Sequence, residues 1–230
     1  MEKDMIRAIV LLSGGMDSLV CAAKAVQECD ELFFLHFNYG QKTEAKELEC
    51  FHALSRYYQP IQAKVVDYYW LREIGGSALT DSEMKIPENS LHSKIVPSTY
   101  VPFRNATLLC AAVAWAEVIS AERIYIGAVE EDSSGYPDCR EIFFRAFETV
   151  IATGSKTGTR ISLKTPVINL SKAEIVNLGL QLKAPFELSW SCYQSETEAC
   201  GVCDSCRLRL NAFAKAGISD PIPYKTTLGV

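Results

Sequence analysis

Apolar runs of strand length alternate with longer segments of helical period along most of this chain, and that alternation constrains the fold more than any other feature. Residues 7–12 (R-A-I-V-L-L) predict a buried strand, followed by a loop and a helix over about 18–27. A second strand is expected at 31–37, an amphipathic helix at 44–58 and a short third strand at 63–66. Residues 75–100 are rich in Ser, Pro, Gly and Asn without a clean period, which predicts a long loop. An apolar helix at 105–119, a strand at 123–129 and a helix at 141–151 follow, the last with Ile142, Phe143, Phe147 and Val150 on its apolar positions. A further helix over 170–180 opens with S-K-A-E at 171–174, a capping-box pattern. Such alternation implies an α/β fold: a parallel, Rossmann-like sheet with helices on both faces. Residues 1–188 read as one domain. From about Trp190 the composition shifts to Cys, Ser and acids, so 189–230 are expected to form a small C-terminal module packed on that domain.

Composition narrows the class. With 230 residues, 48% hydrophobic and 22% charged, the chain has ample length for a core and is neither disordered nor collagen-like. The longest apolar stretch, 108–116, stops at Glu117, far short of the ~20 residues that span a bilayer. The N-terminus carries acids and runs straight into a strand, so no signal peptide is expected. A net charge of −5 disfavours a broad electrostatic grip on nucleic acid. Nine cysteines, an odd count, argue against a disulfide framework and for a cytoplasmic protein with reduced thiols, some holding a metal.

The most informative segment is S-G-G-M-D-S at 13–18, between the first strand and its helix. Gly14 and Gly15 let the backbone turn tightly and present successive N–H groups, Ser13 and Ser18 add hydroxyls, and the helix offers its positive end. The segment suits a polyphosphate. Asp17 fits such a site if it holds a Mg²⁺ that bridges phosphates or fixes the loop from behind. A plain strand-to-helix turn also uses Ser-Gly-Gly, with Asp-Ser as an N-cap. There is no Gly-Lys-Ser/Thr of a Walker A loop, and the dinucleotide fingerprint lacks its third glycine.

Cys200, Cys203 and Cys206 form C-x2-C-x2-C with Cys192 eight residues upstream, a set able to close a tetrahedral Zn²⁺ site of structural kind. The polar stretch is short of apolar surface, so the ion would supply folding energy. An iron–sulfur cluster is the alternative metal, and a redox C-x-x-C would leave two cysteines without purpose. A nucleic-acid-gripping ribbon fits poorly with Glu196, Glu198 and Asp204 against Arg207 and Arg209. Cys21, Cys29, Cys50 and Cys110 read as small hydrophobes. Of the scattered His36, His52 and His92, His36 lies in an apolar strand and reads as core or rim rather than catalytic.

Two further segments carry polar chemistry. Arg104-Asn105 open the most apolar helix, where they could meet phosphate, carboxylate or ribose or simply cap the surface; Gly127 follows the next strand. The loop 132–140 is dense in polar groups around Tyr136, Asp138 and Arg140, as a binding loop or a solvated turn would be.

The string at 13–18 resembles the pyrophosphatase loop of the adenylating ATP-pyrophosphatase superfamily. Together with F-N-Y-G-Q at 37–41, V-P-F-R-N at 101–105, S-G-Y-P-D-C-R at 134–140, T-P at 165–166, S-K-A-E at 171–174 and C-G-V-C-D-S-C-R at 200–207, it resembles the 7-cyano-7-deazaguanine synthase family over about residues 7–215. The loop marks only the superfamily; the other motifs narrow it.

The resemblance implies conversion of 7-carboxy-7-deazaguanine and ammonia to the nitrile, through an acyl adenylate and then an O-adenylated amide, at the expense of ATP. ATP, with Mg²⁺, would lie along Leu12, Ser13, Gly14, Gly15, Met16, Asp17, Ser18 and Leu19, with Asn105 orienting it. Ser13, Asp17, Ser18 and Arg104 would carry catalysis, Arg104 by stabilising phosphate charge. Lys164 and Lys172 would meet the leaving pyrophosphate. Tyr136, Asp138 and Arg140 would shape the deazapurine site, Asp138 accepting from its guanine-like N–H edge, while Cys139 packs. A homodimer and free ammonium as nitrogen source are likewise expected. Phe103 departs from the small residue common before Arg-Asn, and the tail after Cys206 is short. Paralogues that stop at the amide or pass the acyl group to another amine share these motifs. A tRNA sulfur-insertion enzyme would need a basic surface and a cysteine pair, and a nucleotide sensor would bind ATP without turnover.

Overall fold

A computed structural model describes residues 5–87, 96–130 and 135–225. Strands β1 (Arg7–Leu11) and β2 (Glu31–Asn38) flank helix α1 (Met16–Glu28), and α2 (Glu44–Tyr58) leads to β3 (Gln62–Asp67). A short α3 (Trp70–Ile74) precedes α4 (Arg104–Ile119) and β4 (Arg123–Ile126). Then come α5 (Glu141–Gly154), β5 (Ser162–Lys164), α6 (Lys172–Gln181) and α7 (Asp204–Lys215). The strands form one parallel sheet in the order β3-β2-β1-β4-β5. Parallel neighbours need long crossovers, which the helices supply.

The strand sequences divide by parity. Ile9, Leu11, Phe33, Leu35, Ile124 and Ile126 face α4 and α5, which meet them with Leu109, Ala112, Phe144 and Phe147. Ala8, Val10, Leu12, Leu32, Phe34 and Tyr125 face α1, α2 and α6. β1 and β2 are therefore apolar on both faces, as strands buried between two helical layers must be. The chain leaves β1 towards β2 on one side and returns to β4 on the other, so a crevice opens at the carboxyl ends of β1 and β4.

The predicted fold class and most elements are present, with three additions. β5 has three residues and one buried side chain, Leu163, too little for a period. α3 is a five-residue turn of helix just ahead of the segment read as loop. α7 was hidden by its composition: Arg207, Asn211 and Lys215 alternate with a stripe of Cys206, Arg209, Ala212 and Phe213 that is buried. Phe213 packs edge-on against Phe186 at 5.2 Å, in the same cluster as α1 and α6. The tail thus brings apolar surface of its own. The strand expected to run to 129 ends at Ile126, because Gly127 turns towards α1. Cys110 is exposed on α4 and not packed as expected; its position points away from the sheet. His36 is buried, with Nδ1 2.9 Å from the Leu12 carbonyl oxygen. Residues 132–134 and His92 lie outside the described residues. Among the described residues no helix is long and apolar enough to cross a membrane.

Candidate active site

A cavity of about 290 Å³ opens at the crevice, lined by the loop after β1, the start of α4, the segment around Tyr136 and the beginning of the tail. Its floor is the 13–18 loop. Gly14 adopts φ +85°, and a side chain there would meet Cys50 Cβ and the Glu47 carbonyl oxygen, each at 2.9 Å. Gly127 is as constrained: a Cβ would lie 2.6 Å from the Ser18 nitrogen and 2.7 Å from the Asp17 carbonyl carbon. The end of β4 is thereby pressed against the first turn of α1. Inside the loop, Gly15 N–H donates to Ser13 Oγ at 3.2 Å, Ser18 Oγ donates to the Gly15 carbonyl at 2.9 Å, and the two serine hydroxyls are 3.1 Å apart. From outside, the Trp190 N–H donates to the Gly14 carbonyl at 2.9 Å. Among the described residues no side chain caps α1, so its first N–H groups are left uncapped where the first turn borders the cavity. Leu12, Met16 and Leu19 bury their side chains.

Asp17 Oδ2 pairs with Lys172 Nζ at 2.6 Å, while Asp17 Oδ1 is buried without a hydrogen-bond partner. Lys172 is held there by the capping box at its helix start: Ser171 Oγ accepts from Glu174 N–H, and the Glu174 carboxylate accepts from Ser171 N–H. Lys164 lies elsewhere. It borders a separate depression with Lys24, Glu28, Arg123 and Tyr125, beside the far half of α1, because β5 pairs it with Tyr125. At 1.5 Å per residue, that is roughly 10–16 Å along the helix from the loop. The structure therefore brings Lys172 to the loop and leaves Lys164 out.

The motifs at 101–105 and 134–140 meet in the wall of the cavity. Asn105 N–H donates to Asp138 Oδ2 at 2.8 Å, and Asn105 Nδ2 donates to the Asp138 carbonyl at 3.0 Å and to Cys139 Sγ at 3.2 Å. Asp138 so satisfies a free N–H of α4, whose own N-cap position is Phe103 at φ +55°. Burial pushes the Asp138 carboxyl up, opposed by Asn105 N–H and Arg104. Tyr136 and Cys139 line the cavity; Asp138 stands behind them, and exposed Arg140 turns back to the Pro137 carbonyl at 3.1 Å. Arg104 reaches into the cavity, donates to Tyr39 Oη at 3.1 Å and covers that ring. Burial works against its charge, but Tyr39, Tyr136, Cys139 and Asp138 together hold it firmly protonated. The Cys139 thiol is pushed up to about 11, chiefly by burial, which suits packing rather than attack.

Several lining residues escaped the sequence reading. Glu47 on α2 borders the cavity, with Oε2 accepting from Gln41 Nε2 at 3.0 Å and Oε1 from Thr43 Oγ1 at 3.1 Å. Burial pushes its carboxyl up to about 7. A Glu on an amphipathic helix reads as a surface residue; the one available signal was its spacing from Gln41 and Thr43. Arg209 is buried with Asp220, Nε to Oδ2 at 2.7 Å, and also donates to Ser189 Oγ at 2.8 Å, which anchors the segment leading to Trp190.

The sulfurs of Cys192, Cys200, Cys203 and Cys206 all lie within 4.8 Å of one another. Tetrahedral bonds of ~2.3 Å to one ion put sulfurs just under 4 Å apart, so the four fit a single metal. The N–H groups of Cys200 and Gln194 point at Cys192 Sγ at 3.3 and 3.4 Å, and Cys203 N–H at Cys200 Sγ at 3.3 Å, as thiolate ligands require. Hydrogen bonds from Cys203 and Cys206 hold the Cys192 thiol far below its usual range.

The model of the family described as queuosine biosynthesis protein QueC matches residues 7–217. The chain is 57% identical over 220 residues to 7-cyano-7-deazaguanine synthase of Chloroherpeton thalassium, covering 96% of this chain and 97% of that one. It is 56% identical, with the same coverage, to the enzyme of that name in Chlorobium phaeobacteroides. Among solved structures, NMN synthetase from Francisella tularensis is similar over 95% of this chain and 79% of its own, at 16% identity and a TM-score of 0.49. With the family model spanning nearly the whole chain and relatives alike over half their residues, the chain belongs to the queuosine biosynthesis protein QueC family.

Proposed function

We propose that this chain is a 7-cyano-7-deazaguanine synthase, converting 7-carboxy-7-deazaguanine and ammonia to the nitrile with two ATP per turnover. One observation carries the reading: two motifs more than thirty residues apart, around Asn105 and Asp138, join by hydrogen bonds in the wall of a cavity whose floor is the phosphate loop. A carboxylate is a poor acyl donor until it is adenylated, so the site must hold phosphates and reactants together in a partly dry space. Gly15, Ser13, Ser18 and the N–H groups of α1 bind the phosphates. Arg104 offsets charge that develops on the α-phosphate as pyrophosphate departs, and Lys172 receives the leaving group. Tyr136, whose ring is backed by that of Tyr100 at 5.5 Å, packs the deazapurine, and Asp138 fixes Asn105 so that Arg104 keeps its aim.

The orphaned, buried Oδ1 of Asp17 suits Mg²⁺, which when bound screens charge between the phosphates. The four thiolates suit Zn²⁺ as a structural ion. A homodimer in the cytoplasm, with free ammonium as nitrogen source and no nucleic acid bound, completes the reading; outward Val118, Ile142 and Val150 on α4 and α5 offer apolar surface to a second copy.

Mass spectrometry of products from 7-carboxy-7-deazaguanine, ATP, Mg²⁺ and ammonium tests the reading. Nitrile with AMP, lost in Asp17→Asn, is expected. Amide alone would mark a paralogue that stops early. ATP cleavage with neither product would overturn the reading.

A further inference from the structure

The proposed reaction needs a base twice. Ammonium, dominant at neutral pH, must lose a proton before its nitrogen can attack the acyl adenylate. Later both N–H protons must leave the amide nitrogen for the nitrile to form. No histidine lines the cavity among the described residues. Its acids are Asp17, bound to Lys172, Asp204, and Glu47.

Glu47 is placed unlike the others. Among the described residues it has no ion pair; its two oxygens each accept one hydrogen bond from a neutral donor, Gln41 and Thr43. Those donors are themselves fixed. Gln41 Oε1 accepts from Tyr39 N–H at 2.9 Å, which orients its amide so that Nε2 reaches Glu47 at 3.0 Å and the Phe37 carbonyl oxygen at 3.4 Å. The carboxylate is thus held in place and half-buried at the cavity wall, with lone pairs left over. The charged and titratable groups around it are Glu44 and Cys50 on its own helix, Tyr39 at the end of β2, and Arg104 from α4. Arg104 is close enough to act through space without pairing.

Resting on the functional reading above, we propose that Glu47 is the proton acceptor for the nitrogen in both half-reactions. In the first, Glu47 takes one proton from ammonium. The freed lone pair forms the C–N bond, the C–O bond to AMP breaks, and AMP leaves with the electron pair. The remaining excess proton on nitrogen passes to water. In the second, O-adenylation leaves the amide as a protonated imidate, which gives one proton to water. Glu47, having returned its first proton to solvent, then removes the last N–H proton. The N–H electron pair becomes the third C–N bond as the C–O bond breaks and AMP departs. A carboxyl pushed up towards neutrality is matched to such transfers.

The test separates adenylation from proton transfer, using 7-carboxy-7-deazaguanine throughout. Carboxylate-dependent ATP–pyrophosphate exchange reports adenylation alone. Glu47→Gln should keep exchange within about threefold of wild type while amide and nitrile formation fall about 100-fold or more, the usual weight of a general base. Hydroxylamine, neutral at pH 7.5, needs no deprotonation and should trap the adenylate as hydroxamate at near wild-type rate in the variant. Glu47→Asp, which keeps a carboxylate, should restore part of the amide rate, and thermal melting checks that both variants fold. If Glu47→Gln slows exchange as much as amide formation, Glu47 only shapes the loop and the proposal falls. If the variant makes amide and nitrile at wild-type rates, the proposal falls while the functional reading stands. If wild type shows no exchange, the functional reading itself falls and takes this one with it.

Discussion

The ammonium of Lys172 sits 2.6 Å from Asp17 Oδ2, tying the first turn of α6 to the first turn of α1. The pair lies at the cavity floor, and it leaves the other Asp17 oxygen without a partner. Lys172→Ala should lower kcat about 100-fold, since it removes a fixed positive charge at developing phosphate charge. Because the two residues act as a unit, Asp17→Asn combined with Lys172→Ala should cost little more than the worse single change. Steady-state rates of pyrophosphate release on the four proteins decide this, and losses that simply multiply would show that the pair does not work together.

Gly127 makes the closest approach in the site. A methyl group there would lie 2.6 Å from the Ser18 nitrogen, against backbone that cannot swing aside. Gly127→Ala should cost about 1–3 kcal/mol of stability by overpacking. The sheet end and α1 must part to accommodate it, so ATP affinity should fall at least about tenfold at temperatures where the variant is still folded. A variant that binds ATP like wild type, by calorimetry, would mean that the loop tolerates this displacement.

The metal site and the phosphate loop share a short segment. Cys192 is two residues from Trp190, whose N–H holds the Gly14 carbonyl at 2.9 Å. Lys46 lies over the Trp190 ring at 5.2 Å, and the Trp190 indole donates to the Ser195 carbonyl at 2.9 Å, so the ring is pinned on both sides. Cys192→Ser should abolish stoichiometric metal on elemental analysis and weaken ATP binding about tenfold, the worth of one hydrogen bond to a poised loop. The rest of the fold should persist, because Phe213, Ala212 and the Arg209–Asp220 pair remain buried. Unchanged ATP affinity in a metal-free, folded variant would uncouple the two sites.

Much of this arrangement was legible beforehand where chemistry and backbone demands coincide. The 13–18 loop needs glycine at a positive φ and hydroxyls at fixed offsets, and the cysteines need a spacing that closes around one ion; both leave marks in a string of residues. The capping box marked the helix start that carries Lys172, while its place at the site came only from the family resemblance. Long-range satisfaction left no such mark. Asp138 spends its carboxylate on the backbone of Asn105, which no local pattern announces. Lys164 was expected at the site from the family resemblance alone, but the register of β5 sets it beside the far end of α1. α7 was concealed because its buried stripe contains an arginine, Arg209, whose charge is neutralised only by Asp220 further along the chain. Glu47 was illegible for the same reason: a surface-looking helix position becomes a cavity wall only when β2 and α2 are folded together.

Glu47 also sets a pH dependence on stability. Its ordinary value of 4.5 is pushed up to about 7 in the fold, with burial as the main cause. The folded chain therefore keeps a proton that the unfolded chain releases, and the advantage present below about pH 4.5 is lost as pH rises through 7. Glu47→Gln cannot titrate. Whatever constant offset the substitution introduces, the stability of wild type relative to the variant should fall between pH 5 and pH 8. The change should be about 1–2 kcal/mol once contact with solvent is allowed for, or roughly 3–6 °C in the difference between the two melting temperatures for a chain of this size. Melting both proteins across that range measures it directly. A constant difference would place the Glu47 carboxyl at its ordinary value and remove the electrostatic reason for choosing it as the base.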